Sequence, residues 1–142
     1  STPSVKEFGF VPAPLDVATA LQIEEGTVVL KVVRVRVTGR TPILHSVAYL
    51  TEDVGRRFAK ADFGRAALTE LLQAEGIRYD RIEMVTRATL ADVSLAKLLD
   101  VAIGSALVDV MRIGYDKKGR PFEFQILRGP SDRFHTHVTI RG

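Results

Sequence analysis

Val28 to Thr38 reads VVLKVVRVRVT, a β-branched run broken by Arg34 and Arg36 two positions apart. Side chains alternate faces along a strand, so both guanidiniums point one way and Val33, Val35 and Val37 the other. Two cations side by side mark either a solvated face guarded by charge or a wall that grips an anion. A guanidinium offers forked donors that match a carboxylate or phosphate, and it keeps its charge when partly desolvated. The pair is read here as an anion-binding wall.

On the C-terminal side, Gly39-Arg40 suits a two-residue turn, and Ile43 to Leu50 is the return strand. Counting back from a Thr38–Thr41 pair sets Arg34 opposite His45 on one face, with Ser46 on the other. In that register His45 adds a donor to an anion or touches an aromatic ligand; its plainer role is a satisfied polar strand residue. On the N-terminal side, Leu15 to Ile23 is a short helix. Residues 1–14, with Pro3, Pro12 and Pro14, read as a connector carrying a short edge strand at Val5 to Val11.

Further along, Glu52 to Phe58 is a helical turn or two. Asp62 caps a helix from Gly64 to Glu75, whose stripe is Leu68, Leu71 and Leu72. Ile77 to Ala88 is a strand. Thr89 with Asp92 resembles a capping box opening a helix with Ala91, Leu95, Leu98 and Leu99 at helical spacing. Leu107 to Tyr115, Phe122 to Arg128 and Arg133 to Ile140 are strands. VVRVRVTGRTPILH (32–45) and DVMRIGYDKKGRPFEF (109–124) share one grammar: an apolar strand with an arginine, a polar glycine turn, a proline and a return strand. Each follows a helix. The pattern predicts an α+β domain, pseudo-duplicated around an antiparallel sheet of about six strands with flanking helices.

Composition agrees with one domain. The chain has 142 residues, 46% hydrophobic and 26% charged, in the range of ordinary globular proteins. It contains no cysteine, which removes disulfides, thiolate metal sites and cysteine nucleophiles. No run of ~18 apolar residues predicts a membrane span, and the N-terminus lacks the pattern of a secretory signal. The net charge of +3 is spread among acids rather than clustered, so the segment is not read as a direct nucleic-acid binder. No nucleophile elbow, phosphate loop or metal-ligating histidine helix is present. His135 and His137 stand two apart beside Arg133; a cation there would need more ligands and would meet the arginine's charge, so no metal is expected.

The ordered set RVRVTGRTPI, LTELLQAEGI, the Thr89–Gly104 segment, VMRIGYDKKGRPFEF and Asp132-Arg133-Phe134, nine residues after Glu123, resembles the UTRA domain. That is the effector-binding module of HutC-type regulators in the GntR family. The resemblance runs from about Leu15 to Ile140 and implies a chorismate lyase-like fold, a small-molecule effector and a homodimer. It implies a cytoplasmic protein without cofactor, reaching DNA only through a winged helix-turn-helix domain on its N-terminal side. Residues 1–14 are then the linker from that domain and 15–142 the effector-binding domain.

By the same resemblance, Arg34 and Arg36 fall where the family grips an anionic group. Glu123 falls where a glutamate accepts hydrogen bonds from the ligand; its alternative is a surface pair with Arg120 or Arg128. The family's serine–leucine–tyrosine is here Ala67-Leu68-Thr69, and its tyrosine six residues after the glutamate is Gly129. Those departures favour a smaller, less polyhydroxylated acid as the ligand, with Arg34, Arg36, His45 and Glu123 as its contacts. A chorismate lyase-like enzyme, or an interaction module pairing through its sheet edge, are the alternatives.

Overall fold

The computed structural model describes residues 2–142. Its elements are β1 (Thr2–Pro12), α1 (Leu15–Leu21), β2 (Val28–Thr38), β3 (Thr41–Thr51), α2 (Glu52–Gly55), a 3-10 turn (Lys60–Gly64), α3 (Leu68–Ala74), β4 (Arg81–Leu90), α4 (Val93–Leu99), β5 (Ala106–Tyr115) and β6 (Pro121–Pro130). The described residues form one antiparallel six-stranded sheet in the order β1-β2-β3-β6-β5-β4. The α+β class and the strand number match the sequence expectation.

The order divides into two copies of one unit, strand–helix–hairpin, joined where β3 pairs with β6. The duplication holds residue by residue. Both α1 and α4 end on a non-glycine residue in the left-handed region, Gln22 at φ 55° and Asp100 at φ 54°. Gly26 and Gly104 then donate to the carbonyls of Ala13 and Ala91, which donate in turn to Thr27 and Ser105. The same 78-residue interval separates Ala13 from Ala91, Gly26 from Gly104 and Arg34 from Arg112.

Alternation along the strands sorts the core onto two faces. Leu30, Val32, Ala48 and Leu50 pack under Phe63, Leu68, Leu71 and Leu72 from the 3-10 turn and α3. On the other face Val29, Tyr49 and Phe124 pack under α1 through Val17, Ala18 and Leu21, while α4 lies over β3 and shares a small cluster of its own with Leu107 of β5.

Several boundaries differ from expectation. The edge strand runs from Thr2 to Pro12, so these residues belong to the sheet; Ser1 lies outside the described residues. The helix expected from Gly64 to Glu75 is split, because Asp62 accepts from the Ala59 amide inside the 3-10 turn and α3 starts only at Leu68. Thr89 stays in β4, and Asp92 caps α4 by accepting from Leu95 N at 2.8 Å. Of the strand expected from Arg133 to Ile140, residues 135–140 are exposed and pair with no strand of the described residues.

Candidate functional site

The two-residue turn is as expected, with Thr38 opposite Thr41. Two residues further in, however, the register slips: Val37 pairs with Pro42 and Arg36 with Leu44, leaving Ile43 as the extra residue of a β-bulge. A one-residue slip sends every later side chain to the opposite face. Arg34 is therefore opposite Ser46, while His45 pairs with Val35 and Arg128 on the far face. The expected Arg34–His45 pairing is corrected, and Ser46 takes the place given to His45.

Arg34 and Arg36 do share a face and line one small cavity, of about 150 Å³. Ser46, Thr69, Arg112 and Gln125 supply its other polar groups, and Pro3, Leu44, Ala67, Leu68 and Leu127 its apolar wall. Each half of the duplicated sheet thus contributes a hairpin, and Arg34 and Arg112 hold equivalent places in the two halves.

Arg34 is 5% exposed. Its Nη1 donates to the carbonyls of Ala66 at 3.0 Å and Phe63 at 3.4 Å, and its guanidinium lies 5.8 Å from the Phe63 ring centre. None of the ion pairs among the described residues includes it. Burial, reinforced by the neighbouring Arg36 charge, pushes its pKa down to about 10, so it remains a cation at neutral pH. Among the described residues, carbonyl dipoles and a ring face hold this buried cation, and no carboxylate does.

Arg112 is held differently. Its Nε donates to Glu123 Oε1 at 3.0 Å, its Nη2 reaches Thr69 Oγ1 at 3.4 Å, and its charge lies 5.0 Å from the Tyr79 ring centre. Glu123 is fully buried and does not line the cavity. It also accepts from the Tyr79 hydroxyl and from Gln125 Nε2. Burial first, then the Glu123 charge, push the Tyr79 hydroxyl well above its usual range, which keeps it a donor. The alternative surface pairing of Glu123 is also corrected: Arg120 pairs with Asp116, and Arg128 with Asp109.

Sequence reasoning missed Arg112 and Tyr79 as parts of this site. The signal for Arg112 was present in the echo between the two hairpins, which aligns an arginine in each. His45 belongs to a separate polar row on the far face, His45–Arg128–Asp109, running across β3, β6 and β5. There Arg128 Nε donates to Asp109 Oδ2 at 2.7 Å, and Asp109 Oδ1 is buried without a partner. A wider cleft of about 510 Å³ opens at the opposite end of β2, near Val28; two of its carboxylates, Glu52 and Asp116, are already paired with Arg56 and Arg120. Among the described residues no cluster of three metal-ligating side chains occurs, and no helix is long and apolar enough to cross a membrane.

Comparison with known proteins bears on this architecture. The ligand-binding domain of a regulator assigned to the GntR family from Bordetella bronchiseptica superposes with a TM-score of 0.89 at 25% identity, covering 98% of this chain and 91% of that one. The effector domain of PhnF from Mycobacterium smegmatis shares the fold, with a TM-score of 0.85 at 19% identity over 99% of this chain and 87% of that one. An uncharacterised HTH-type transcriptional regulator of Rhizobium meliloti (strain 1021) is 27% identical over 129 residues, 90% of this chain; the chain spans about half of that relative, 53%. The UTRA domain model matches residues 3–135. The chain belongs to the UTRA domain family, the effector-binding domains of GntR-family transcriptional regulators.

Proposed function

We propose that this domain senses a small anionic metabolite, a carboxylate or phosphate, held between its two hairpins by Arg34, Arg36 and Arg112. One observation carries the reading: Arg34 is a nearly buried guanidinium, facing the cavity, whose hydrogen bonds go to carbonyls and not to an acid. Glu123 neutralises Arg112, while no acid among the described residues pairs with Arg34, so the wall keeps a positive field. A cavity of about 150 Å³ suits a compact acid better than a long polyhydroxylated one. Ser46, Thr69 and Gln125 supply neutral donors and acceptors around it.

On this reading the module serves a HutC-type regulator whose winged helix-turn-helix reader stands on the N-terminal side of β1. The protein works as a cytoplasmic homodimer. Ligand stabilises one arrangement of the dimer and so shifts how the attached readers meet their half-sites. Glu123 already receives three donors from its own chain, which supports a binding role over a lyase-like one needing a free acid or base.

The test is calorimetry and thermal melting of the 142-residue chain with inorganic phosphate and short mono- and dicarboxylates. Ligand at a hundred times its Kd stabilises by about 2.7 kcal/mol, a rise of several degrees in Tm for a domain of this size. Arg34→Lys keeps the charge but loses the fork, and should weaken binding at least tenfold. An anion that binds the variant and the parent equally well would sink the assignment.

A further inference from the structure

The duplication extends past the two hairpins. Both break register at the same step: Phe122 is the extra residue of β6 as Ile43 is of β3, because Gly114 faces Glu123 and Tyr115 faces Pro121. In the return strands the interval between equivalent residues is 79, one more than before the turn. It relates Pro42 to Pro121, and Thr51 to Pro130, which face Val29 and Leu107. The segments that follow then correspond, Glu52-Asp53-Val54 to Ser131-Asp132-Arg133. The first is α2; the second also turns, with Phe134 N donating to Pro130 O at 2.8 Å.

In the second half Arg133 ties a helix to a hairpin. Its Nη1 donates to Leu99 O at 2.7 Å and Pro42 O at 3.0 Å, and its Nη2 to Asp100 O at 3.4 Å. The guanidinium thus sits at the carbonyl end of α4, where the last carbonyls lack helical donors and the field is negative. In the first half its counterpart is Val54, which is short and apolar. The counterparts of Leu99, Asp100 and Pro42 are Leu21, Gln22 and Pro121, and all three line the cleft of about 510 Å³ together with Val54. No turn or cap hydrogen bond among the described residues ends on the carbonyl of Leu21 or Gln22. The cleft is the place that Arg133 fills in the other half, left open.

Its charge suits the same guest. Among the described residues, Glu52, Asp53 and Asp116 line it against one cation, Arg120. Asp53 takes part in none of the ion pairs among the described residues. Ile23, Val28, Ile77 and Phe122 add apolar wall, and the volume falls in the range of small-molecule sites.

We propose that this cleft is a second ligand site, for a small organic cation: a guanidinium or primary ammonium group on an apolar stem. The head takes the place that the Arg133 guanidinium has in the other half, donating to the carbonyls of Leu21, Gln22 and Pro121, with the Asp53 carboxylate on the rim. The stem lies along the apolar wall. The cleft shares no lining residue with the arginine cavity, so the site stands if the anion assignment fails.

The test is calorimetry of the 142-residue chain with n-butylguanidinium, and with n-butanol to separate the charge from the stem. The cation should bind at one site with a Kd of about 1 mM or tighter, and the alcohol at least tenfold more weakly. Amide resonances of Leu21, Gln22, Ile23 and Phe122 should move during the titration. Val54→Arg supplies the missing group from the chain itself and should abolish binding. Asp53→Asn, at an exposed position, should leave the fold unchanged and weaken binding about threefold. No saturable binding, equal binding of the alcohol, resonance shifts confined to other residues, or undiminished binding by a folded Val54→Arg would each overturn the site. Should Val54→Arg misfold, the resonance map and Asp53→Asn decide. An arginine-containing hexapeptide that binds where n-butylguanidinium does not would mark the cleft as a dock for a protein segment, and would also overturn the proposal.

Discussion

Glu123 on β6 and Arg112 on β5 form an ion pair at 3.0 Å whose carboxylate has no exposure to solvent. A carboxylate so placed is tolerated only because donors surround it. Tyr79, Gln125 and Arg112 provide them, and Arg112 passes the constraint on to the cavity wall. Glu123 acts through Arg112, as a positioning residue for the guanidinium.

Removing that acid should be costly to the fold. Glu123→Ala leaves a largely buried guanidinium without its counter-ion, a change that typically costs about 3–5 kcal/mol. Glu123→Gln keeps the shape and one acceptor oxygen, and should cost less, about 1–3 kcal/mol. Urea denaturation of both variants measures the order. Equal stability for Glu123→Ala and the parent would contradict the role.

Arg34 should behave in the opposite way. No acid among the described residues pairs with it, so Arg34→Met removes a desolvated charge while losing two carbonyl contacts. The two effects oppose each other, and folding stability should stay within about 1 kcal/mol of the parent. The Tm rise produced by an anion should vanish in the same protein. A large loss of stability with binding intact would mark Arg34 as structural.

How much of this was legible in the sequence follows from the range of each signal. Period-two alternation and glycine turns are local, so the strands from Val28 to Thr38 and Leu107 to Tyr115 could be read directly. The β-bulge is also local but silent: nothing in TPILH, residues 41–45, announces that Ile43 is skipped, and that one residue exchanged His45 for Ser46 beside Arg34. Arg112 was readable only by trusting the duplication, since a single arginine in an apolar strand says nothing of its partner. Tyr79 precedes β4 and reaches Glu123 across 44 positions, a contact that only the tertiary fold brings about. Arg133 to Ile140 was read as a strand, yet residues 135–140 pair with no strand of the described residues.

His45 gives the pH behaviour. Burial lowers its pKa below the usual 6.5, Arg128 lowers it further, and Asp92 partly offsets both. The unfolded chain therefore binds a proton at higher pH than the folded one. Stability rises with pH where the unfolded state holds more protons, so it is fully present above about pH 6.5 and declines as pH falls from there toward the folded-state value. Melting curves between pH 5 and 8 should show this slope, and His45→Gln should flatten it. The acids with lowered pKa, Asp62 and Asp116, act below 3.8 and leave this window clear. An unchanged slope in His45→Gln would assign the effect elsewhere.

Gly129 holds the bulge in place. A Cβ there would come within 2.5 Å of the Ile43 carbonyl oxygen and 2.9 Å of Phe134 Cβ. The first neighbour is backbone and cannot rotate away, so the close approach of β6 to the bulged residue requires a glycine. Gly129→Ala should cost about 1–3 kcal/mol and should move the amide resonances of residues 42–46 together with Phe134. Gly9, in β1, serves as the control, because a Cβ added there would meet nothing within 4 Å. Gly9→Ala should change stability by less than about 1 kcal/mol. Because the bulge decides whether Ser46 or His45 faces Arg34, anion affinity should fall in Gly129→Ala and stay unchanged in Gly9→Ala. Equal stability and equal affinity in the two variants would show that the register beside Arg34 is fixed by something other than this contact.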